Sequence, residues 1–169
     1  GIVRGSLGME LADDFGSWAG WLLSDQTPIV LIAGPGQDVA AAVTQLAQVG
    51  LDTVRGVVRD LGDAATARFE LVDLATFRAR LSDPATQVLD VRTPNERAQA
   101  RLHGAVERYL PDLVTEGIPA ELDPQRPVLV ACRSGRRAAI AATALVAAGY
   151  RPVVLDGAGI PDVVSATAV

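Results

Sequence analysis

The sequence contains no lysine, since all fifteen of its basic residues are arginine. This absence excludes Schiff-base catalysis and the lysine-containing P-loop, two kinds of site that need a lysine amine. One cysteine cannot form an internal disulfide, and one histidine cannot form a histidine cluster, so a structural zinc site is excluded too. We therefore expect no metal and no cofactor. A single free thiol fits a reducing compartment, which predicts a cytoplasmic protein.

Aromatic residues make up only 4% of a chain that is 49% hydrophobic, so small aliphatic residues must build most of the core. We expect the two tryptophans, Trp18 and Trp21, to pack in that core from a short helix. The net charge of −5 disfavours a nucleic-acid partner. No apolar run is long enough to cross a membrane and no leader pattern opens the chain, so no membrane partner is expected.

The most informative stretch of the chain covers residues 127–149. A short apolar run predicts a strand buried on both faces, which leads into Cys132. The five loop residues that follow are Arg133, Ser134, Gly135, Arg136 and Arg137. An alanine-rich helical stretch comes next and ends at Gly149. A short loop between a buried strand and a helix points several N–H groups at one place, where the helix dipole adds positive charge. The sequence thus predicts an anion-binding loop with a thiol at its base.

Two interpretations of Cys132 are open at this point. A lone cysteine is most often an inert, buried small hydrophobe. Helix N-termini and neighbouring arginines, however, stabilise the thiolate, which is the nucleophilic form of the side chain. Three arginines and a glycine lie in the five residues that follow this cysteine. We therefore favour a reactive thiolate over a packing residue.

The run from Cys132 to Arg137, Cys-Arg-Ser-Gly-Arg-Arg, resembles the active-site loop of the rhodanese (sulfurtransferase) superfamily, with cysteine first and arginine sixth. The strand end Asp90-Val91-Arg92 and the acidic Glu96 resemble two further features of that family. The resemblance covers at least residues 72–161. It departs at residues 100–105, where the family usually has Gly-His-Ile-Pro-Gly-Ala and only the closing Gly-Ala is kept.

This resemblance implies that a thiolate at Cys132 attacks a sulfane sulfur, becomes a persulfide and passes the outer sulfur to a nucleophilic acceptor. No general base is needed when the thiolate is already formed. Arg133 and Arg136 would meet a small anionic donor, thiosulfate or a thiol persulfide, while Arg137 would brace the loop. The acceptor would be a thiol, sulfite or cyanide.

The supporting residues Asp90, Arg92 and Glu96 follow a predicted strand. Because ligands of a parallel sheet bind beyond the carboxyl ends of its strands, this strand end and Cys132 should meet at one edge. We expect Asp90 to be structural and to hold the loop or a neighbouring N–H group. Arg92 could pair with either acid or reach the site, and we favour pairing.

Two other functions compete with sulfur transfer. Cysteine phosphatases and arsenate reductases have a similar loop, but five residues separate their cysteine and arginine. Here Ala138 stands where that arginine would be, so the loop is one residue too small for a tetrahedral phosphoryl group. The other alternative is a non-catalytic interaction or regulatory module. What separates it from an enzyme is whether Cys132 accepts a sulfur atom.

The two halves of the chain share landmarks at a constant offset of 99 residues, which predicts a tandem duplication. The matching pairs are Gly5 and Gly104, Pro28 and Pro127, Gly36 and Gly135, Leu46 and Leu145, and Gly50 and Gly149. In the first copy Ala33 replaces Cys132 and Asp38 replaces Arg137, so the chemistry is lost. The counterpart of residues 71–99 would precede residue 1, so this copy is also incomplete at its N-terminus.

Strands that alternate with helices predict an α/β fold with a parallel sheet flanked by helices. We predict a degenerate, partial rhodanese-like domain at residues 1–62 and an active-type rhodanese domain at 63–169, with the linker at 62–68. Degenerate–active pairs resemble the C-terminal part of fusions with a metallo-β-lactamase-like persulfide dioxygenase, which would make the donor a low-molecular-weight persulfide. We expect a homodimer or an upstream fused domain to cover the incomplete copy.

Overall fold

The computed structural model describes residues 2–165, which form two compact units. The small unit is Met9–Ala65, and the large unit combines the residues up to Gly8 with those from Thr66 onward. The boundary between Ala65 and Thr66 lies inside the predicted linker at residues 62–68. The boundary between Gly8 and Met9 differs from the predicted domain 1–62, because the residues before Met9 belong to the large unit.

Long-range hydrogen bonds explain why the first eight residues belong to the large unit. Ile2 and Ala67 form an antiparallel bridge, with N···O distances of 2.8 and 3.1 Å. The Arg4 guanidinium donates to the carbonyl oxygen of Val146 at 2.8 Å. The amide of Gly8 donates to a threonine hydroxyl of the same unit at 3.1 Å. These partners are more than 60 residues away, so no local pattern could indicate them.

The small unit contains a parallel strand–helix–strand motif that follows a first helix. Its elements are α1 (Phe15–Leu22), β1 (Ile29–Ile32), α2 (Val39–Gln48) and β2 (Val54–Val58). β1 and β2 pair in parallel. Both helices contribute to a core on one face of these strands, which consists of Phe15, Ala19, Ile29, Ala42, Leu46 and Leu51. On the other face Val30 and Ile32 are exposed by 55% and 43%.

The prediction that both tryptophans pack in the core is wrong for Trp21, which is 58% exposed. The buried positions of α1 are Phe15, Gly16, Ala19 and Leu22, and this helical spacing leaves Trp21 outside the buried stripe. Its ring packs edge-to-face on that of Trp18, with centroids 4.9 Å apart. The Trp18 indole N–H donates to an Asp14 carboxylate oxygen at 3.0 Å.

The large unit is an α/β domain with helices flanking a parallel sheet, as predicted. Its elements are β3 (Glu70–Val72), α3 (Leu74–Leu81), β4 (Gln87–Asp90), α4 (Pro94–Gln99), β5 (Val106–Glu107), α5 (Leu110–Thr115), β6 (Pro127–Ala131), α6 (Arg136–Ala147), β7 (Arg151–Leu155) and α7 (Ile160–Ser165). The strand order is β3-β7-β6-β4-β5, and all neighbours are parallel. The sequence also predicts that a turn and a short helix close the chain over residues 157–167, of which residues 166–167 lie outside the described range.

The centre of the sheet is β6, the strand that leads into Cys132. Its residues from Val128 to Ala131 are completely buried, as expected of a strand covered on both faces. One face packs in a core cluster with Phe77 of α3 and Ile160 of α7. Each fully buried valine, leucine, isoleucine or phenylalanine of this core stabilises the fold by about 1.5–3 kcal/mol relative to an exposed one. The site is therefore attached to the best-packed strand of the unit.

Two helices begin with caps formed by residues three positions apart in the sequence. The Asp73 carboxylate accepts the Thr76 amide at 2.8 Å at the start of α3. At the start of α4, Thr93 and Glu96 form a reciprocal capping box with proline in the first turn. In the described part of the chain, no helix has the length and apolar character needed to cross a membrane.

The hydrogen bond of Arg4 gives a stability prediction for the large unit. Arg4→Ala removes one partly buried bond and should lower the free energy of unfolding of this unit by about 1 kcal/mol. Both tryptophans lie in the small unit, so their fluorescence reports that unit and far-UV dichroism reports both. We expect only the dichroism transition to shift in urea. Arg59→Ala, an exposed change in the small unit, is the control, and an unshifted dichroism transition for Arg4→Ala would contradict the prediction.

Candidate functional site

The candidate site lies where β6 meets the N-terminus of α6. Cys132 follows the last residue of β6, and Gly135 is the N-cap of α6. The amide of Gly135 donates to the Cys132 sulfur, with an N···Sγ distance of 3.1 Å. Gly135 has φ of +89°, a left-handed conformation that residues with a Cβ rarely adopt. This backbone turn directs the N-cap amide of the helix at the sulfur.

The sulfur lies at the base of the loop and the polar side chains lie at its rim. Cys132 is 1% exposed, whereas Arg133, Ser134 and Arg136 are all exposed. A negative charge on Sγ would face the positive end of the α6 dipole in addition to the Gly135 amide. The exposed arginines give the entrance of the loop a positive charge. The arrangement is suited to holding a sulfur anion and attracting an anionic reagent.

Arg137 differs from the other loop arginines because it is held by Glu96. Its two terminal nitrogens donate to the two Glu96 carboxylate oxygens at 2.7 and 2.6 Å. Glu96 also accepts the Thr93 amide at 3.0 Å and the Thr93 hydroxyl at 2.9 Å. One carboxylate therefore completes the capping box of α4 and connects that helix to the first turn of α6.

These contacts shift the pKa values of both partners. The hydrogen bonds from Arg137 are the largest cause that lowers the pKa of Glu96 from 4.5 to about 2; burial opposes them, and the Thr93 bonds add to them. Burial opposes the charge of Arg137, yet its pKa is raised by the Glu96 hydrogen bonds and by the charges of Cys132, Glu96 and Tyr109. The guanidinium thus contributes a fixed positive charge close to the thiol.

Asp90 and Arg92 form a buried ion pair next to the loop strand. Their side chains are each 2% exposed, with Arg92 Nη2 and Asp90 Oδ2 2.8 Å apart. Asp90 Oδ1 also accepts the Arg92 amide at 3.0 Å. Arg92 further donates to the Glu96 carbonyl at 3.3 Å and to the Ala100 carbonyl at 2.5 Å. The pair thus holds the chain from β4 through α4 to the segment where the sequence departs from the rhodanese pattern.

Sequence reasoning did not identify Gly159 as part of this site. A methyl group added at Gly159 would lie 1.7 Å from the carbonyl oxygen of Arg133, so the residue before α7 approaches the loop backbone more closely than any residue with a side chain could. The only signal in the sequence was the Gly-x-Gly spacing of Gly157 and Gly159 after the last strand. Among residues 2–165, no group of three histidines, cysteines or carboxylates could hold a metal ion.

The Glu96–Arg137 pair gives a pH prediction. The pKa of Glu96 falls from 4.5 to about 2 on folding, so the pair stabilises the fold above pH 4.5 and loses this contribution as the pH falls towards 2. Glu96→Gln should therefore lower the free energy of unfolding by about 2 kcal/mol at pH 7. The difference from the unaltered protein should vanish near pH 2.

Urea unfolding between pH 2 and pH 7 measures this difference. Glu70→Gln is the matched control, because Glu70 pairs with Arg80 but its side chain is 52% exposed. Such an exposed pair is expected to contribute less than about 1 kcal/mol. A Glu96→Gln deficit that does not change with pH would show that the carboxylate charge is not what stabilises the site.

Comparison with solved structures shows where the fold recurs. A single-domain sulfurtransferase of Saccharomyces cerevisiae is 17% identical with a TM-score of 0.51, and the match covers 60% of this chain and 93% of that one. A rhodanese-related protein of Thermoplasma volcanium is 23% identical with a TM-score of 0.50, covering 58% and 93%. Reduced CoADR-RHD of Bacillus anthracis matches at 24% identity and a TM-score of 0.47, covering 53% of this chain and only 16% of that one. For the first two structures, identities this low show a shared fold only.

The family comparison covers the site itself. Among curated proteins no sequence matches this chain. The sequence profile of the rhodanese-like domain matches residues 73–162, more than half of the chain. That range runs from the cap of α3 to α7 and includes Asp90, Glu96 and the loop from Cys132 to Arg137. The chain therefore belongs to the family of rhodanese-like domain proteins.

Proposed function

We propose that this protein is a sulfurtransferase that carries sulfur as a persulfide on Cys132. The observation that carries the proposal is the hydrogen bond from the Gly135 amide to Sγ at the N-terminus of α6. An N–H group and a helix dipole that both point at sulfur favour the thiolate, which is the attacking form. Membership in the rhodanese-like domain family supports this type of reaction.

The proposed reaction has two displacements at sulfur. The Cys132 thiolate attacks the outer sulfur of thiosulfate or of a thiol persulfide; a new S–S bond forms, the donor S–S bond breaks, and sulfite or a thiolate leaves. A thiol, sulfite or cyanide then attacks the outer sulfur of the enzyme persulfide, and the Cys132 thiolate leaves. Neither step needs an external oxidant or a general base, because the electron pairs move from nucleophile to leaving group.

The loop arginines have different roles in this proposal. Arg133 and Arg136 are exposed at the entrance, where they would attract and bind an anionic donor. Arg137 is only 12% exposed and is held by Glu96, which suits a residue that braces the loop. Asp90 and Arg92 are buried with each other and support the neighbouring strand.

The geometry disfavours the phosphatase and arsenate reductase alternative. Those enzymes need an arginine one position after Arg137, and Ala138 is buried there in the first turn of α6. Arg137 itself is engaged with the Glu96 carboxylate. A tetrahedral phosphoryl group would therefore lack its usual guanidinium partner. The non-catalytic alternative differs from ours in one measurable property, sulfur uptake by Cys132.

We further propose that the small unit is a degenerate copy of the large one. Glycines that match at the offset of 99 share left-handed backbone conformations: φ is +78° at Gly36 and +89° at Gly135, and +80° at Gly50 and +88° at Gly149. In each unit the strand before the first glycine pairs in parallel with the strand after the second. A single left-handed glycine turn recurs in unrelated proteins, but here the turns before and after the helix both match, which supports a duplication.

The loop of the small unit is closed by its own side chains. The Gln37 amide oxygen accepts the Gly34 amide at 2.6 Å, and the Asp38 carboxylate accepts the Ala41 amide at 3.0 Å. Ala33 supplies no sulfur. The Gly34 amide, which matches the Arg133 amide at the offset of 99, is thus satisfied by a side chain of its own loop, which supports a structural role. That an upstream dioxygenase or a second copy covers this unit stays a prediction.

The central prediction concerns Cys132. Cys132→Ser should abolish thiosulfate:cyanide and persulfide:cyanide turnover while the far-UV spectrum stays unchanged, because the serine hydroxyl cannot form a persulfide. Intact mass after incubation with glutathione persulfide should increase by one sulfur atom only when Cys132 is present. The matched control adds Ala33→Cys to Cys132→Ser, which restores a thiol in the closed loop and should not restore turnover. Turnover that persists in Cys132→Ser would refute the proposal.

A second prediction separates the arginines. Arg133→Ala and Arg136→Ala should each raise KM for thiosulfate by roughly three- to tenfold with kcat nearly unchanged, because they remove binding that substrate and transition state share. Arg137→Ala should instead lower the melting temperature, since Glu96 loses its partner. Arg59→Ala, remote from the loop, is the control for loss of charge. An unchanged melting temperature for Arg137→Ala would show that its role is misassigned.

A further inference from the structure

The segment after β7 contacts the outside of the cysteine loop at two successive carbonyl groups. The Ile160 amide donates to the Cys132 carbonyl oxygen at 2.9 Å. Gly159 lies against the next carbonyl, so that an added methyl group would be 1.7 Å from the Arg133 oxygen and 2.2 Å from its carbon. The clash would be with backbone, which cannot rotate away as a side chain can. Gly159 has no left-handed φ, so it is this close approach that demands glycine here.

These contacts determine where two loop amides point. All peptide bonds in the described chain are trans, so the C=O and N–H of one peptide unit point in opposite directions. The Cys132 carbonyl shares its peptide unit with the Arg133 amide, and the Arg133 carbonyl shares its unit with the Ser134 amide. Because both carbonyls face the Gly159–Ile160 segment, both amides face the opposite side of the loop backbone. A sulfur anion bound on that side would find both amides as donors.

The segment that makes these contacts is firmly held. Ile160 and Val163 are buried in the core cluster that includes Phe77 of α3. The Gly159 amide donates to the Asp162 carboxylate at 2.9 Å, which fixes the peptide that approaches the loop. The loop backbone is thus pressed against an element anchored in the core.

We propose that Gly159 is a positioning residue that turns the Arg133 and Ser134 amides towards the sulfur of Cys132. The inference rests on the proposed function for its purpose, since the sulfur anion to be stabilised is the thiolate or persulfide of the transfer reaction. Gly159 acts through the loop backbone and touches no substrate. Asp162 contributes by holding the Gly159 amide.

The test measures the thiolate without any sulfur donor. Iodoacetamide is neutral and reacts with thiolates, and Cys132 is the only cysteine, so its alkylation rate against pH reports this one thiol. Gly159→Ala should move the midpoint of that profile upward by about one pH unit, the effect of losing one hydrogen bond to a charged group. Gly56→Ala is the matched control, because a methyl group there meets no atom within 4 Å. An unmoved midpoint in a folded Gly159→Ala protein would overturn the proposal.

A second pair of variants decides the question if Gly159→Ala does not fold. Asp162 is exposed, and both Asp162→Ala and Asp162→Asn remove its charge, but only asparagine keeps an oxygen that can accept the Gly159 amide. We expect a higher midpoint for Asp162→Ala than for Asp162→Asn. Equal midpoints would overturn the proposal. If the unaltered protein takes up no sulfur, the proposed function fails, while the alkylation profiles still judge the role of Gly159.

Discussion

The left-handed turn at Gly135 is the constraint on which the site depends. It allows the chain to leave the central strand β6 and enter α6 within four residues, so that the Gly135 amide reaches Sγ at 3.1 Å. An added side chain at Gly135 would be strained by the φ of +89° and would lie 3.1 Å from the Leu155 carbonyl. Glycine is therefore needed at position 135 both for the turn between β6 and α6 and for the close approach of β7.

Charge at the site is divided between buried or half-buried ion pairs and exposed groups. Arg137 and Glu96 form a bidentate pair, and Arg92 forms one with Asp90. Such pairs fix the positions of the chain segments that they join. Their net contribution to stability is smaller than their attraction, because the desolvation of each ion offsets much of it. The attraction of an anionic donor therefore falls to the exposed arginines of the loop. This division follows from burial, since an arginine can bind a reagent only where the reagent can reach it.

Features with a local cause could be predicted from the sequence. The caps at Asp73 and Thr93 depend on residues three positions away, and the buried strand β6 depends on its own apolar run. Features with a distant cause could not. The attachment of Arg4 to Val146 and the contact of Gly159 with Arg133 join segments that no periodicity connects. Trp21 was misplaced for a related reason, because a hydrophobic residue type alone does not say which side of α1 it occupies.

The two units contain similar backbone turns in loops whose hydrogen bonds differ. Gly36 and Gly135 have similar left-handed turns, and a helix follows each. In the large unit the amide of the turn glycine, Gly135, donates to sulfur, whereas in the small unit the Gln37 side-chain oxygen accepts the Gly34 amide and the Asp38 carboxylate accepts the Ala41 amide. An acceptor in the same chain satisfies these donors without the entropic cost of binding a free ligand. In the small unit, side-chain oxygens of the loop and of the helix cap thus satisfy these two backbone donors without a ligand.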